Sequence, residues 1–159
     1  MAGRHLWSTP VQPEWIDFNG HMRDAYYGLV VSLATDVLMD ELGMDAAYRE
    51  RTRATLYTLE MHLHFLEEVK LGDTLEVSLR VLGADAKRLH VALEMRCARH
   101  AGPAATAEFM LLHVRQGDKP AAAPFPPEVA GRVAALAAAT AALPADGPGS
   151  RQMQLKPRP

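Results

Sequence analysis

Cysteine is almost missing from this chain. Cys97 is the only one in 159 residues, so an internal disulfide is excluded. It follows Val91, Leu93 and Met95 at strand spacing, which predicts a buried, inert thiol rather than a nucleophile. An excess of either charge is missing too. Seventeen Lys and Arg face nineteen Asp and Glu, for a net charge of −2 and a pI near 6.4. The basic stripe of a nucleic-acid-binding protein is therefore not expected. No apolar run reaches the roughly 18 residues that a membrane-spanning helix needs. The opening Met-Ala-Gly-Arg-His-Leu-Trp-Ser-Thr-Pro has no apolar centre of the signal-peptide kind, so a cytoplasmic protein is expected. What is present is an ordinary globular mixture, 48% hydrophobic and 23% charged, in a length suited to one domain with a core of its own.

Periodicity gives the order of elements. Residues 5–12 read as a short strand that ends at Pro13. From about Met22 to Leu42, Tyr26, Leu29, Val30, Leu33, Ala34, Val37, Leu38 and Leu42 recur at helical spacing, with Gly43 as the stop. Val31 and Met39 fall outside that stripe, which predicts a helix covered on more than one side. Four segments of period two follow. Their apolar sets are Tyr57 to Phe65, Leu75 to Val81, Leu89 to Met95 and Ala105 to Leu111. The turns between them are short (Gly72-Asp73, Gly83-Ala-Asp85, Gly102-Pro103), so the strands should pair antiparallel. Residues 121–143 read as a Pro/Ala linker and a peripheral helix, and 144–159 as a mobile tail. One long apolar helix and one antiparallel sheet can bury each other as two layers. The sheet's edges then need cover, which a second copy of the chain would supply.

The chemistry-bearing stretch is Val11-Gln-Pro-Glu-Trp-Ile-Asp17-Phe-Asn-Gly20-His21-Met22. It places a carboxylate on a loop that runs into a helix N-terminus, where unpaired N–H groups and the dipole favour negative charge. A carboxylate beside an oxyanion site is the minimum apparatus for acyl transfer. Asp17 can also be read as an Asx-turn or capping residue, although Asn19 and Asp24 stand better placed to cap. Glu60, His62 and His64 alternate on one strand face and could line a site, an interface or a solvent face. A metal site from two histidines and a carboxylate is the least favoured use of them.

Val11-x5-Asp17-x2-Gly20-His21-Met22-x2-Ala25-x-Tyr27, with Phe65-x2-Glu68-x3-Gly72-Asp73-x-Leu75-x-Val77, resembles the hotdog-fold acyl-CoA thioesterases of the 4-hydroxybenzoyl-CoA thioesterase group. The resemblance spans about residues 6–115. Pro13 to Met22, Ala34-Thr35-Asp36 and Leu82 to His90 are more similar still to the betainyl-CoA thioesterases, associated with carnitine dehydrogenase in carnitine breakdown. It implies an α+β hotdog fold, an antiparallel β-sheet wrapped around one long central helix, over residues 1–120. It also implies hydrolysis of a small acyl-CoA, with betainyl-CoA giving glycine betaine. Asp17 would be nucleophile or general base, with His21 and Asn19 in support. Backbone at Gly20 and Met22 would polarise the carbonyl. A trimethylammonium acyl group would call for aromatic or acidic neighbours, and Trp15, Tyr26, Tyr27, Glu60 and His62 are the candidates. Lys87 and Arg88 are candidates for the CoA phosphates. No cofactor, metal, membrane or nucleic acid is expected, because CoA belongs to the substrate. The partners expected are acyl-CoA and further copies of the chain, as a homodimer or a dimer of dimers. Many hotdog thioesterases carry Asn-Asn after Gly-His-Val, where this chain has Arg23-Asp24. The competing readings are a non-catalytic acyl-CoA-binding protein and a dehydratase. An Asp that precedes the helix suits a dehydratase poorly.

Overall fold

A computed structural model describes residues 3–141; the tail expected at 144–159 lies outside them. The elements are β1 (Arg4–Pro10), a 3-10 turn (Pro13–Trp15), α1 (Asp24–Glu41), α2 (Ala46–Thr52), β2 (Ala54–Phe65), β3 (Thr74–Ala84), β4 (Arg88–Arg96), β5 (Ala105–Arg115), β6 (Ala121–Ala122) and α3 (Pro127–Ala141). The strands form one antiparallel sheet in the order β1-β3-β4-β5-β2, with β6 on the end of β5 beyond the reach of β4. This is the expected α+β arrangement, a curled sheet around one long helix.

The sheet's inner face is built from the odd-numbered apolar residues. Val77 pairs with Met95, Leu79 with Leu93, Leu93 with Ala107 and Val91 with Phe109, and all are buried. Removing a leucine such as Leu79 or Leu93 from water contributes about 1.5–3 kcal/mol. Against this face α1 buries Tyr27, Val30, Val31, Ala34, Leu38 and Met39. The stripe is thus rotated from the one expected. Val31 and Met39 are buried, while Leu29 and Leu33 remain 40% and 36% exposed. Within the chain the helix is covered on one side, and its second apolar face, with Leu29 and Leu33, is exposed.

The strand at the β2 edge departs most from simple alternation. Thr58 pairs with Leu111 and Glu60 with Met110, so Leu59 is an extra residue in a bulge. The bulge reverses the parity of the strand. Tyr57 pairs with Leu112 of the outer face, whereas Met61, Leu63 and Phe65 pair with Phe109, Ala107 and Ala105 of the inner face. The inner-face side chains still outreach the protomer's own cover, and Met61 and Phe65 stay 43% and 53% exposed.

The sequence pattern passed over α2. Its seven residues are too few to show a helical period, but Asp45 caps it by accepting the Tyr48 N–H at 2.8 Å. It delivers Tyr48 to the core, where the hydroxyl hydrogen-bonds His113 Nε2 at 2.9 Å. The C-terminal helix α3 packs on β3 and joins the same core through Val129, Val133 and Leu136. Thr140 Oγ1 accepts the Val81 N–H at 3.1 Å. Cys97 is buried, and burial pushes its thiol up from the ordinary value, as expected of an inert thiol. Among the described residues, no helix is long and apolar enough to cross a membrane.

Candidate active site

The segment before α1 folds into a tight loop that is closed at its neck. Ile16 and Met22 form an antiparallel bridge, and the Asp17 N–H donates to His21 O at 2.9 Å. Gly20 turns the loop at φ 79°, in the left-handed region that favours glycine. Asp17 Oδ1 accepts the Asn19 N–H at 2.8 Å and the His21 N–H at 3.3 Å. Desolvation pushes the Asp17 carboxyl upward. The hydrogen bonds from Asn19 and His21, with the positive charge of Arg23, outweigh it and hold the group below the ordinary aspartate range. Asp17 is therefore both an Asx-turn residue and a fixed, ionised carboxylate at neutral pH. The sequence had set these roles against each other, and the structure allows both.

The two N–H groups assigned to the oxyanion are taken. Gly20 N–H donates to Asp17 O at 3.0 Å, and Met22 N–H donates to Val69 O at 2.7 Å. That expectation is corrected: one bond closes the loop and the other ties it to the β2–β3 connection. The Arg23 N–H is also used, by Trp15 O at 3.0 Å. The Asp24 N–H, first in α1, has no hydrogen-bond partner among the described residues. It is the donor that the helix start leaves available.

His21 does not point its ring at Asp17. Its Nε2 lies 2.7 Å from Glu68 Oε2, and Glu68 Oε1 lies 2.8 Å from Lys70 Nζ. The Lys70 ammonium holds the Glu68 carboxyl below its usual value. His21 thus supports Asp17 through its backbone and leans on β2–β3 through its imidazole. Glu68 had been visible in the sequence as part of the hairpin signature, without a role attached to it.

Beside the loop opens a cavity of about 500 Å³. His21, Met22, Asp24 and Tyr27 line it from the loop and helix; Phe65, Leu66, Glu67 and Glu68 line it from the end of β2. Asp17 meets it through the loop rather than lining it. Tyr27 stands edge-on to Phe65, with ring centroids 5.3 Å apart, and its hydroxyl donates to Glu67 O at 3.2 Å. Burial raises the Tyr27 hydroxyl above its ordinary value, so it stays a donor.

The other candidates are dispersed. Trp15 is buried and stacks on Tyr26 at 5.8 Å, so these rings pack on each other rather than around an open volume. Glu60 and His62 pair across from Met110 and Glu108, on the sheet face opposite α1. With His90 and Glu108 they line a separate cavity of about 210 Å³, where His62 Nε2 lies 2.7 Å from Glu60 Oε1. Alternation in β2 is what sends them there, away from the Asp17 loop. Lys87 sits in the β3–β4 turn and Arg88 opens β4, both bound to Asp85. That carboxylate is held at about 2 by the Lys87 N–H first, then by the Arg88 side chain and N–H. Asp73, at the other end of β3, is the residue near the Asp17 loop, through Val11 N–H to Asp73 O at 2.9 Å. Eleven residues of strand span roughly 35 Å, so one protomer does not bring Lys87 or Arg88 to Asp17. Cations at that end include Arg23, Lys70 and Arg99, the last held by both oxygens of Asp73 at 2.8 and 3.0 Å. No group of three or more potential metal ligands occurs among the described residues.

Residues 11–133 match the model of the thioesterase-like superfamily. The chain is 48% identical to the betainyl-CoA thioesterase of Pseudomonas aeruginosa over 95% of its own length and 94% of that protein's. It is 37% identical to a Rhizobium meliloti L-carnitine dehydrogenase/betainyl-CoA thioesterase, over 91% of this chain and 29% of that longer protein. A Staphylococcus aureus protein solved in complex with CoA superposes with a TM-score of 0.88 at 27% identity, covering 98% of each chain. The curled antiparallel sheet around α1, the loop that presents Asp17 at the start of that helix, and a family match over most of the sequence agree. This chain is a hotdog-fold member of the thioesterase-like superfamily.

Proposed function

We propose that this protein hydrolyses the thioester of a small acyl-CoA, with betainyl-CoA as substrate and glycine betaine and CoA as products. The observation that carries the reading is the ionised Asp17, held by two loop N–H groups next to a cavity where the Asp24 N–H is unpartnered. Two routes suit this geometry. As a nucleophile, Asp17 adds an oxygen to the carbonyl carbon, CoA leaves as thiolate, and water cleaves the resulting anhydride. As a general base, Asp17 takes a proton from the water that adds to the carbon, and the departing thiolate is protonated in turn. In both, negative charge grows on the carbonyl oxygen, and the Asp24 N–H with the α1 dipole is placed to receive it. Neither route draws on a cofactor or a metal.

The betainyl assignment draws on the 48% identical relative of that name, and a place in carnitine breakdown on the two-part relative. The cytoplasmic setting expected from the sequence belongs to the same proposal. So does assembly into a homodimer or a dimer of dimers. The edge position of β2 and the exposure of Leu59, Met61, Leu29 and Leu33 support it, because such a strip calls for cover.

Steady-state thiol release from betainyl-, acetyl-, 4-hydroxybenzoyl- and medium-chain acyl-CoA, with wild type and Asp17→Asn, tests the reading. Preference for betainyl-CoA, abolished by the substitution, is the expected result. Asp17-dependent activity on other thioesters alone would remove the substrate and keep the chemistry. The structural use of Asp17 Oδ1 in the loop favours a second reading, a non-catalytic acyl-CoA-binding protein. Tight binding without Asp17-dependent turnover would establish it.

A further inference from the structure

We infer that Asp24 and Glu67, with the open ring of Phe65, form the subsite that selects a cationic acyl group, a quaternary ammonium one bonded close to the thioester carbon. The inference rests on the proposed thioesterase reading and goes on to the residues that set its specificity.

In a betainyl thioester the nitrogen is two bonds from the carbonyl carbon, about 2.5 Å away. A group that recognises that charge must therefore lie on the walls around the reacting carbon. Glu60 and His62 fail this condition, because β2 carries them to the other face of the sheet. Trp15 fails it because it is buried against Tyr26. The cavity at the loop meets it, since His21 and Met22 of the loop are part of its wall.

The chemistry of that wall is one-sided. It holds the carboxylates of Asp24, Glu67 and Glu68 and, among the described residues, no lysine or arginine. Glu68 is committed to His21 and Lys70. Asp24 uses one oxygen, Oδ1, for the Ala25 N–H at 2.8 Å. Glu67 has a looser neighbour, His100 Nδ1 at 3.8 Å, and its side chain is 51% exposed. These two carboxylates can turn toward a ligand without breaking a strong ion pair. Phe65, edge-on to Tyr27 and 53% exposed, adds an aromatic surface to the same wall. Trimethylammonium has no N–H to donate, so it is held by aromatic faces and diffuse negative charge rather than by hydrogen bonds. Asp24 places one of these carboxylates at the first residue of α1.

The test compares betainyl-CoA with 3,3-dimethylbutanoyl-CoA, which has carbon in place of the charged nitrogen and nearly the same shape. Asp24→Asn, Glu67→Gln and the double variant remove charge with little change of volume, and Asn keeps an oxygen for the Ala25 N–H. The readouts are the ratio of kcat/KM for the two thioesters and the ratio of Kd for their non-hydrolysable thioether analogues. Wild type is expected to favour the cation in both. Each substitution should lower the ratio about tenfold, and the double variant further. Turnover of betainyl-CoA with ratios unchanged in all three variants would overturn the subsite and leave the hydrolase standing. A charge preference in analogue binding that the variants lose, in a protein without turnover, would uphold the subsite and remove the hydrolase.

Discussion

Replacing Asp17 by Asn separates its hydrogen-bonding place in the loop from the catalytic role proposed for it. The asparagine Oδ1 can accept the same N–H groups of Asn19 and His21, now at 2.8 and 3.3 Å from the carboxylate. The loop should keep its shape, and Tm should change little. Catalysis should not survive, because an amide neither attacks a thioester nor takes a proton from water. A positioned acid or base is worth on the order of 10²–10⁴ in rate, so kcat should fall about a thousandfold. Asp17→Ala makes the contrast, since it removes the acceptor of both N–H groups and should lower Tm further. Thiol release and thermal unfolding of both variants are the assays. The pH profile of the wild type gives the sign. Asp17 works as the anion and its folded value is lowered. Its activity is therefore present above the ordinary aspartate range and lost only as pH falls through the lower folded value. An Asn variant with near wild-type kcat would refute the assignment, as would an acid limb above the ordinary aspartate range.

Gly20→Ala meets no atom within 4 Å but must adopt φ 79°, so a loss of about 1–2 kcal/mol and a lower Tm are expected. Tyr48→Phe removes the buried partner of His113, and denaturant titration should show a loss of about 1–3 kcal/mol. Asp85→Asn should lower Tm at neutral pH. The folded value of Asp85 is depressed, so its contribution is full above the ordinary aspartate range and fades as pH falls toward about 2, where wild type and variant should converge. Met61→Arg alters a side chain 43% exposed in the protomer, so sedimentation should report a folded chain of smaller assembly; an unchanged assembly would place the interface elsewhere.

Much of the fold was legible because the pattern that encodes it is local and redundant. The inner faces of β3, β4 and β5 each repeat an apolar residue at every second position, and all of them are buried. Where one residue breaks the period, alternation no longer predicts which face a side chain takes. The bulge at Leu59 is silent in composition, yet it divides Tyr57 from Met61 onto opposite faces. The stripe on α1 was misplaced for a related reason. Leu29 and Leu33 are as apolar as the buried residues, and a single chain cannot say which apolar face its own sheet covers. In the site, Asp17 was found because its loop is contiguous in sequence. Glu67 and Glu68 are harder to read from sequence, because they meet the loop through contacts made some 47 residues along the chain, Met22 N–H to Val69 O and His21 to Glu68.

The exposed strip and the cavity are parts of one feature. Phe65 closes β2 and lines the cavity, while Leu59 and Met61 carry the same apolar edge away from it. On the helix, Tyr27 lines the cavity, and the exposed Leu29 and Leu33 follow it by two and six residues. A second chain laid along this edge would cover the strip and wall the cavity by the same contact. Closure of that kind expels water, which strengthens each charge interaction inside. The carboxylates of Asp24 and Glu67 stand partly in solvent in the protomer and would then act on an acyl cation at short range. In such an assembly the exposed leucines and methionine would bear on selectivity as well as on association, although none of them lines the cavity.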